Sequence, residues 1–347
     1  MNKKVSIIRG EILLEKLVII DGLPGNGKSL FGMSILPALE RVELYSYSEM
    51  LESICALNYL NKMDIDTASE MVKLIVDRKL YDHMMSRKVN FRPTDLSSIF
   101  NYPNPQKYIN RLFEEGDASI VAKVNKLNPI LNIQTHNILP FSKPIWKGLA
   151  NKVFLLEIVR HPAFMFKQIY TSVAGDLVNN VRNWTLQIDS EYGIFPFNVY
   201  GHEELFANAN QHERAVIFMH DLHERSTLFK SKNKEIMTNY MCISFEKFVI
   251  NPTPFIDKLC SWLDTKPTDA IDEVFSKAGI PRSKVTDMPD MEVYKVCGGW
   301  SRSIDNYSDR DEVDMRISMV KENVSPDIFD MFMFLCKDYE DKVWKPL

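Results

Sequence analysis

The apolar positions of this chain fall into two rhythms, near-continuous short runs and stretches spaced at three and four. Val153-Phe-Leu-Leu-Glu-Ile-Val159 is the most continuous run, the pattern of a central parallel strand covered on both faces. Val18-Ile-Ile is a second run; it breaks into Gly22, Gly25 and Gly27 and resumes as helix from Leu30 to Leu39. Val42 to Tyr47 alternates like a strand and completes one βαβ unit. Met50 to about Lys88 is helical, with Met71, Leu74, Ile75 and Arg78 at helix spacing and neither Gly nor Pro. Pro93, Pro103 and Pro105 then punctuate a loop-rich stretch holding Asn101-Tyr-Pro-Asn-Pro, which suits a lid or acceptor-binding insertion and equally a plain surface connection. A short helix is expected over Lys107–Glu114, a strand over Ala118–Val124, and another extended piece over Ile130–His136.

Pro140 to Ala150 reads as a short helix or turn, and Pro162 is placed to open a helix running to about Val181. Gln211 to Lys232 has helical spacing, Tyr240 to Phe245 is strand-like, and a helix follows Asn251 through Ile256, Leu259 and Leu263. A charged stretch from Arg302 to Arg316 precedes a final amphipathic helix from about Pro326 to Trp344. Strands alternating with helices predict a three-layer α/β/α sandwich around a mainly parallel sheet. One domain over residues 1–347 is expected, with a helical and loop insertion at about 50–115 and a helical segment at about 303–347. No internal repeat is visible.

Composition narrows this little. At 347 residues, with 25% charged and 45% hydrophobic residues, the chain is of ordinary globular make-up, and a net charge of -4 gives no electrostatic reason to expect nucleic acid. Cys55, Cys242, Cys260, Cys297 and Cys336 are widely spaced without a C-x-x-C pair, as expected of reduced thiols in a cytoplasmic protein. No window approaches a membrane span, and the apolar stretch after Met1-Asn-Lys-Lys is interrupted by Arg9, Glu11 and Glu15.

The chemistry concentrates at Gly22–Ser29, which fits G-x-x-x-x-G-K-[ST] between a strand and a helix. Its glycines let backbone N–H groups crowd round anionic oxygens, the helix N-terminus adds partial positive charge, and Lys28 adds a mobile cation. His136 follows a predicted strand, at the edge where open α/β sheets place ligands, and an imidazole can accept a proton near neutral pH. Arg160 stands at another strand end, where its guanidinium fork suits a phosphate. His220 and His223 read as a solvated helix face, and Tyr192, Phe195, Phe197 and Tyr200 as core.

From these points the chain resembles the sulfotransferases that use 3′-phosphoadenosine 5′-phosphosulfate (PAPS). Four segments carry the resemblance in the family's order: the phosphate loop; Thr135-His136-Asn-Ile-Leu-Pro140; Arg160-His161-Pro162; and Ile243-Ser-Phe-Glu246 with its following Phe248 and Pro252. Gly298-Gly299-Trp300 is similar to a Gly-x-Trp segment near the 3′-phosphate site. The resemblance implies that Pro24, Gly25, Asn26, Gly27, Lys28, Ser29 and Leu30 cradle the 5′-phosphosulfate. It implies that Arg160, Gln168, Gly298, Gly299 and Trp300 hold the rest of PAPS, and that His136 is the general base, with Lys28 also catalytic. Glu246 corresponds to a residue that is mostly architectural. The acceptor would be a small molecule or glycan bearing a hydroxyl or amine, and no metal is expected. The oligomeric state is left open.

The loop departs from the family in placing a lysine at 28, where threonine is usual, and Gln168 stands where a serine is expected. Two alternatives therefore stay open. One is a magnesium-ATP kinase, with Ser29 and a carboxylate such as Asp21 or Glu157 holding the metal. The other is a nucleotide-binding protein without turnover.

Overall fold

Five parallel strands build the main sheet, and the order in which they pair decides where a ligand can sit. They are β1 (Lys16–Asp21), β2 (Ser46–Tyr47), β3 (Ile130–Gln134), β4 (Val153–Val159) and β7 (Tyr240–Ser244), in the order β2-β3-β1-β4-β7. A separate antiparallel hairpin pairs β5 (Gln187–Ser190) with β6 (Gly193–Pro196). The structure, a computed structural model, describes residues 5–172, 184–287 and 307–346. Gly298, Gly299, Trp300 and Cys297 lie outside the described residues, as does the expected helix beyond Ser172.

Helices follow in chain order: α1 (Lys28–Leu30), continued by helical turns to Ala38; α2 (Glu49–Tyr59); α3 (Ile65–Met84); α4 (Pro105–Arg111); α5 (Ala118–Leu127); and α6 (Lys143–Leu149). Then come α7 (Pro162–Ser172), α8 (Glu203–Asn208), α9 (Gln211–Lys232), α10 (Phe245–Ile250), α11 (Thr253–Leu263), α12 (Ile271–Ala278), α13 (Asp309–Lys321) and α14 (Pro326–Lys342). The three layers follow from strand alternation. Leu17, Ile19, Leu131, Ile133, Val153 and Leu155 face one core with α2, α3, α6, α7, α9 and α14. Val18, Ile20, Ile130, Leu156 and Ile158 face the other, with Phe31, Ile35, Phe248, Ile256 and Leu259. Each such fully buried aliphatic side chain contributes about 1.5–3 kcal/mol.

Four expectations are corrected. Ala118–Val124 is helical, not a strand: its buried residues are Ile120 and Val124, four apart, while Val121 is exposed. Val42–Tyr47 pairs as a strand only at Ser46–Tyr47, with a single bridge from Val42 to Ile130. Between them Leu44 gives its backbone N–H to the Tyr108 hydroxyl instead of to a ladder. His220 and His223 are not a solvated face: His223 sits 3.5 Å from Asp338 and both rings pack on Phe334, so α9 docks on α14. Of the expected core aromatics, Phe195 and Phe197 are buried, but Tyr192 and Tyr200 are exposed.

The segment around Asn101–Pro105 is fastened to the sheet edge. Tyr102 donates to the Val42 carbonyl at 3.0 Å. Glu43, fully enclosed, accepts from Tyr108 at 2.6 Å and from Arg111 at 2.7 and 3.0 Å, and pairs with Lys107 at 3.0 Å. Burial alone would raise the Glu43 carboxyl, but Lys107 and Arg111 hold it well below the usual carboxylate range. This buried cluster fixes the segment to the stretch that leads into the amino end of β2.

Candidate functional site

At the carboxyl end of β1 the chain turns through Gly22–Gly27 into α1. Gly22 and Gly27 have φ of 136° and 91°, a region L side chains rarely adopt, and a Cβ on Gly27 would overlap the Phe245 ring. Asn26 is fully buried and braces the loop from within: its amide donates to the Ile158 carbonyl, and its Oδ1 accepts from Lys28 N at 3.1 Å. Lys28 is 4% exposed, with its ammonium 3.1 Å from the Leu23 carbonyl. Burial lowers its pKa to about 8, against the pull of Asp21 and Glu52.

Asp21, the last residue of β1, builds the neighbouring turn. Its carboxylate accepts from the Thr135 hydroxyl at 2.9 Å, Ile138 N at 2.9 Å and Leu139 N at 2.8 Å. The turn that carries His136 is thus clamped to the start of the Gly22–Gly27 loop. Burial raises the Asp21 pKa, and these three bonds oppose the rise. His136 itself is partly open to solvent. Its backbone N–H donates to Glu52, its Nδ1 lies 3.4 Å from Glu52 Oε1, and the Tyr47 ring packs edge-on at 4.9 Å. Tyr47 in turn donates to Glu52 Oε2 at 2.7 Å.

On the other side of β1, Arg160 directly follows β4. It is 2% exposed, donates to the Gly25 carbonyl at 2.9 Å, and lies over the rings of Phe164 and Phe245. Arg282 approaches the same Phe245 ring and Arg316 the same Phe164 ring, so three guanidinium groups converge on two aromatic faces. Burial lowers the Arg160 pKa, Glu246 opposes this, and Arg316 and Arg282 add to it. The turn bearing Arg160 is held by Glu246, fully buried, which accepts from His161 N at 2.7 Å, Ser244 Oγ at 3.0 Å and the Tyr339 hydroxyl at 2.5 Å. Glu246 is a brace within the fold.

One cavity of about 980 Å³ is lined by Pro24 through Leu30, His136, Arg160 and Gln168 together. Gln168 stands next to Gly25 on α7. Phe100 to Pro103, Trp184, Phe197 and Asn198 beside the hairpin, and Glu273 and Lys277 of α12 also line it. Glu52, Arg282 and Arg316 were missed in the sequence, where each is an ordinary charge with no motif round it. Glu157 is elsewhere: it accepts from Lys230 at 3.2 Å and from the Tyr240 hydroxyl and does not line the cavity. Among the described residues no group of three His, Cys, Asp or Glu side chains is arranged to hold a metal. No described helix is long and apolar enough to cross a membrane, and Cys55, Cys242, Cys260 and Cys336 are free thiols.

No family model matches the chain, and no curated protein sequence does. Among solved structures it is similar to the sulfotransferase domain of the olefin synthase of Synechococcus PCC 7002, with 11% identity over 91% of this chain and 98% of that one, TM-score 0.38. It is also similar to the sulfotransferase STF9 of Mycobacterium avium, with 13% identity over 76% of this chain and 67% of that one, TM-score 0.34. At TM-scores this low neither likeness carries an argument about function.

Proposed function

We propose that this chain is a sulfotransferase that moves a sulfuryl group from PAPS to a hydroxyl or amine acceptor by in-line displacement. The observation that carries this is the one cavity shared by three stretches far apart in sequence: the Pro24–Leu30 loop, His136, and Arg160 with Gln168. PAPS, when bound, supplies an activated sulfur and a stable bisphosphate leaving group. The backbone N–H groups of Gly25 to Ser29 would hold the 5′-phosphate end, and Lys28 would neutralise the charge that grows on the leaving oxygen. Arg160 and Gln168 would hold the 3′-phosphate, with Gly298, Gly299 and Trp300 as the remaining candidates for that end. His136 would take the proton of the attacking group. Glu52 lies by Nδ1, which orients the ring and leaves Nε2 to accept that proton.

The magnesium-ATP alternative starts from the same Lys28-Ser29 pair, but the two carboxylates expected to hold its metal are engaged elsewhere. Both Asp21 oxygens are spent on the His136 turn, and Glu157 is paired outside the cavity. The adjacent strand β3 ends in the neutral Gln134. We expect donor use without a metal. Release of adenosine 3′,5′-bisphosphate from PAPS, measured over a panel of phenolic, sugar and amine acceptors, tests the proposal. Acceptor-dependent release that His136→Ala abolishes, with bisphosphate binding retained, supports it; equal release by wild type and His136→Ala contradicts the role given to His136.

A further inference from the structure

Resting on the sulfotransferase reading, we propose that the acceptor carries an anionic group and that Lys79 reads it in a second cavity beside His136. That cavity, about 550 Å³, is lined by Tyr47, Lys79, His83, Lys88, Asn90 and Ser97, and it shares Met33, Tyr47 and Leu96 with the lining of the larger one. Tyr47 is the wall between them: its ring packs on His136, and its backbone carbonyl accepts from Lys79 Nζ at 3.1 Å.

Lys79 is half-buried, and this carbonyl is its single partner among the described residues. An ammonium has three donors, so two are left for a ligand. Burial lowers its pKa, against Glu49 and Asp82, which are the carboxylates nearest in charge. Asp82 is already shared by Arg78 at 3.1 Å and Lys88 at 3.2 Å. Asp95, which also lines the cavity, is taken by Arg92 at 3.4 Å and Asn90 at 3.1 Å. A second polar group is left over: His83 is 4% exposed and its Nδ1 has no partner among the described residues. A desolvated ammonium, a buried imidazole and the Ser97 hydroxyl, which accepts from Asn90 at 2.9 Å and keeps its own proton to donate, fit a carboxylate, sulfate or phosphate group better than a neutral or cationic one. The acceptor would then be a hydroxyl or amine compound whose negative group lies one cavity away from the atom that is sulfated.

The test uses the full chain saturated with adenosine 3′,5′-bisphosphate, titrated calorimetrically with sodium sulfate, phosphate and acetate in separate arms, for wild type and Lys79→Gln. At least one anion is expected to bind the wild type, the arms ranking the three chemistries, and Lys79→Gln should weaken it about tenfold or more. No binding of any of the three, or equal binding by Lys79→Gln, overturns the inference. Bisphosphate binding is measured first on both proteins and confirms that the variant is folded. If the bisphosphate fails to bind while an anion still requires Lys79, the donor reading falls and the anion site stands.

Discussion

Lys28 is buried beneath the phosphate loop with its pKa lowered to about 8, and this makes ligand binding depend on pH in a range where lysines are normally silent. An anion bound against the ammonium favours its charged form, so affinity tracks the protonated fraction of the free protein. That fraction is about nine-tenths at pH 7 and about one-tenth at pH 9, so adenosine 3′,5′-bisphosphate should bind about tenfold more weakly at the higher pH. The ligand's own phosphates lose their second proton near pH 6 and contribute little over this interval. Calorimetry at pH 7, 8 and 9 in buffers of different ionisation enthalpy reads both the affinity and a proton uptake of roughly one half per site at pH 8. The Lys28→Met protein should bind weakly and without this pH dependence. The unliganded protein moves the other way. Between about 8 and the ordinary value of 10.5 the unfolded chain holds the Lys28 proton and the native state does not, so this group makes stability rise with pH there. A flat affinity from pH 7 to 9 in the wild type would refute the placement of a desolvated lysine against the bound phosphate.

Other consequences can be read with simpler assays. Gly27→Ala forces a Cβ into the Phe245 ring at a positive φ; we expect a loss of about 1–3 kcal/mol in urea unfolding and bisphosphate affinity reduced well below wild type. Glu246→Ala leaves the His161 N–H and the Ser244 and Tyr339 hydroxyls without their buried acceptor, a cost of about 3 kcal/mol or more in the same measurement. Asp21→Ala removes the acceptor of three bonds in the His136 turn; turnover of PAPS should fall further than bisphosphate affinity does. Glu52→Gln keeps a bond to the His136 backbone but removes the carboxylate that orients the ring at Nδ1, so kcat should fall with KM for PAPS little changed.

The strands that place the site were legible because they are covered on both faces. β4 is an apolar run broken only by Glu157, and β1 carries four apolar residues before Asp21 and its glycines. The phosphate loop announced itself by spacing, and His136 and Arg160 by standing at strand ends. What stayed hidden depends on tertiary contact. Glu52 is an ordinary residue of α2, and only the fold brings its carboxylate to His136. Lys79 and His83 lie on α3 in a pattern that reads as a plain amphipathic helix, and Arg282 and Arg316 reach Phe245 and Phe164 from distant segments. The Ala118–Val124 stretch was misread because Ile120, Val121 and Val124 satisfy a short strand pattern, while the helix buries only the first and last. The β5–β6 hairpin carries Gly193 and Pro196, breakers that mask a short two-stranded element.

The central claim is that one cavity takes a PAPS-type donor through an ATP-like loop. Its most direct measurement is a calorimetric titration of the full chain with adenosine 3′,5′-bisphosphate and, separately, with ATP and magnesium, each repeated in excess EDTA. The account predicts that the bisphosphate binds more tightly than ATP, unchanged by EDTA, and that substituting Arg160→Ala selectively removes this advantage. Tighter binding of ATP, lost when magnesium is chelated, would contradict it.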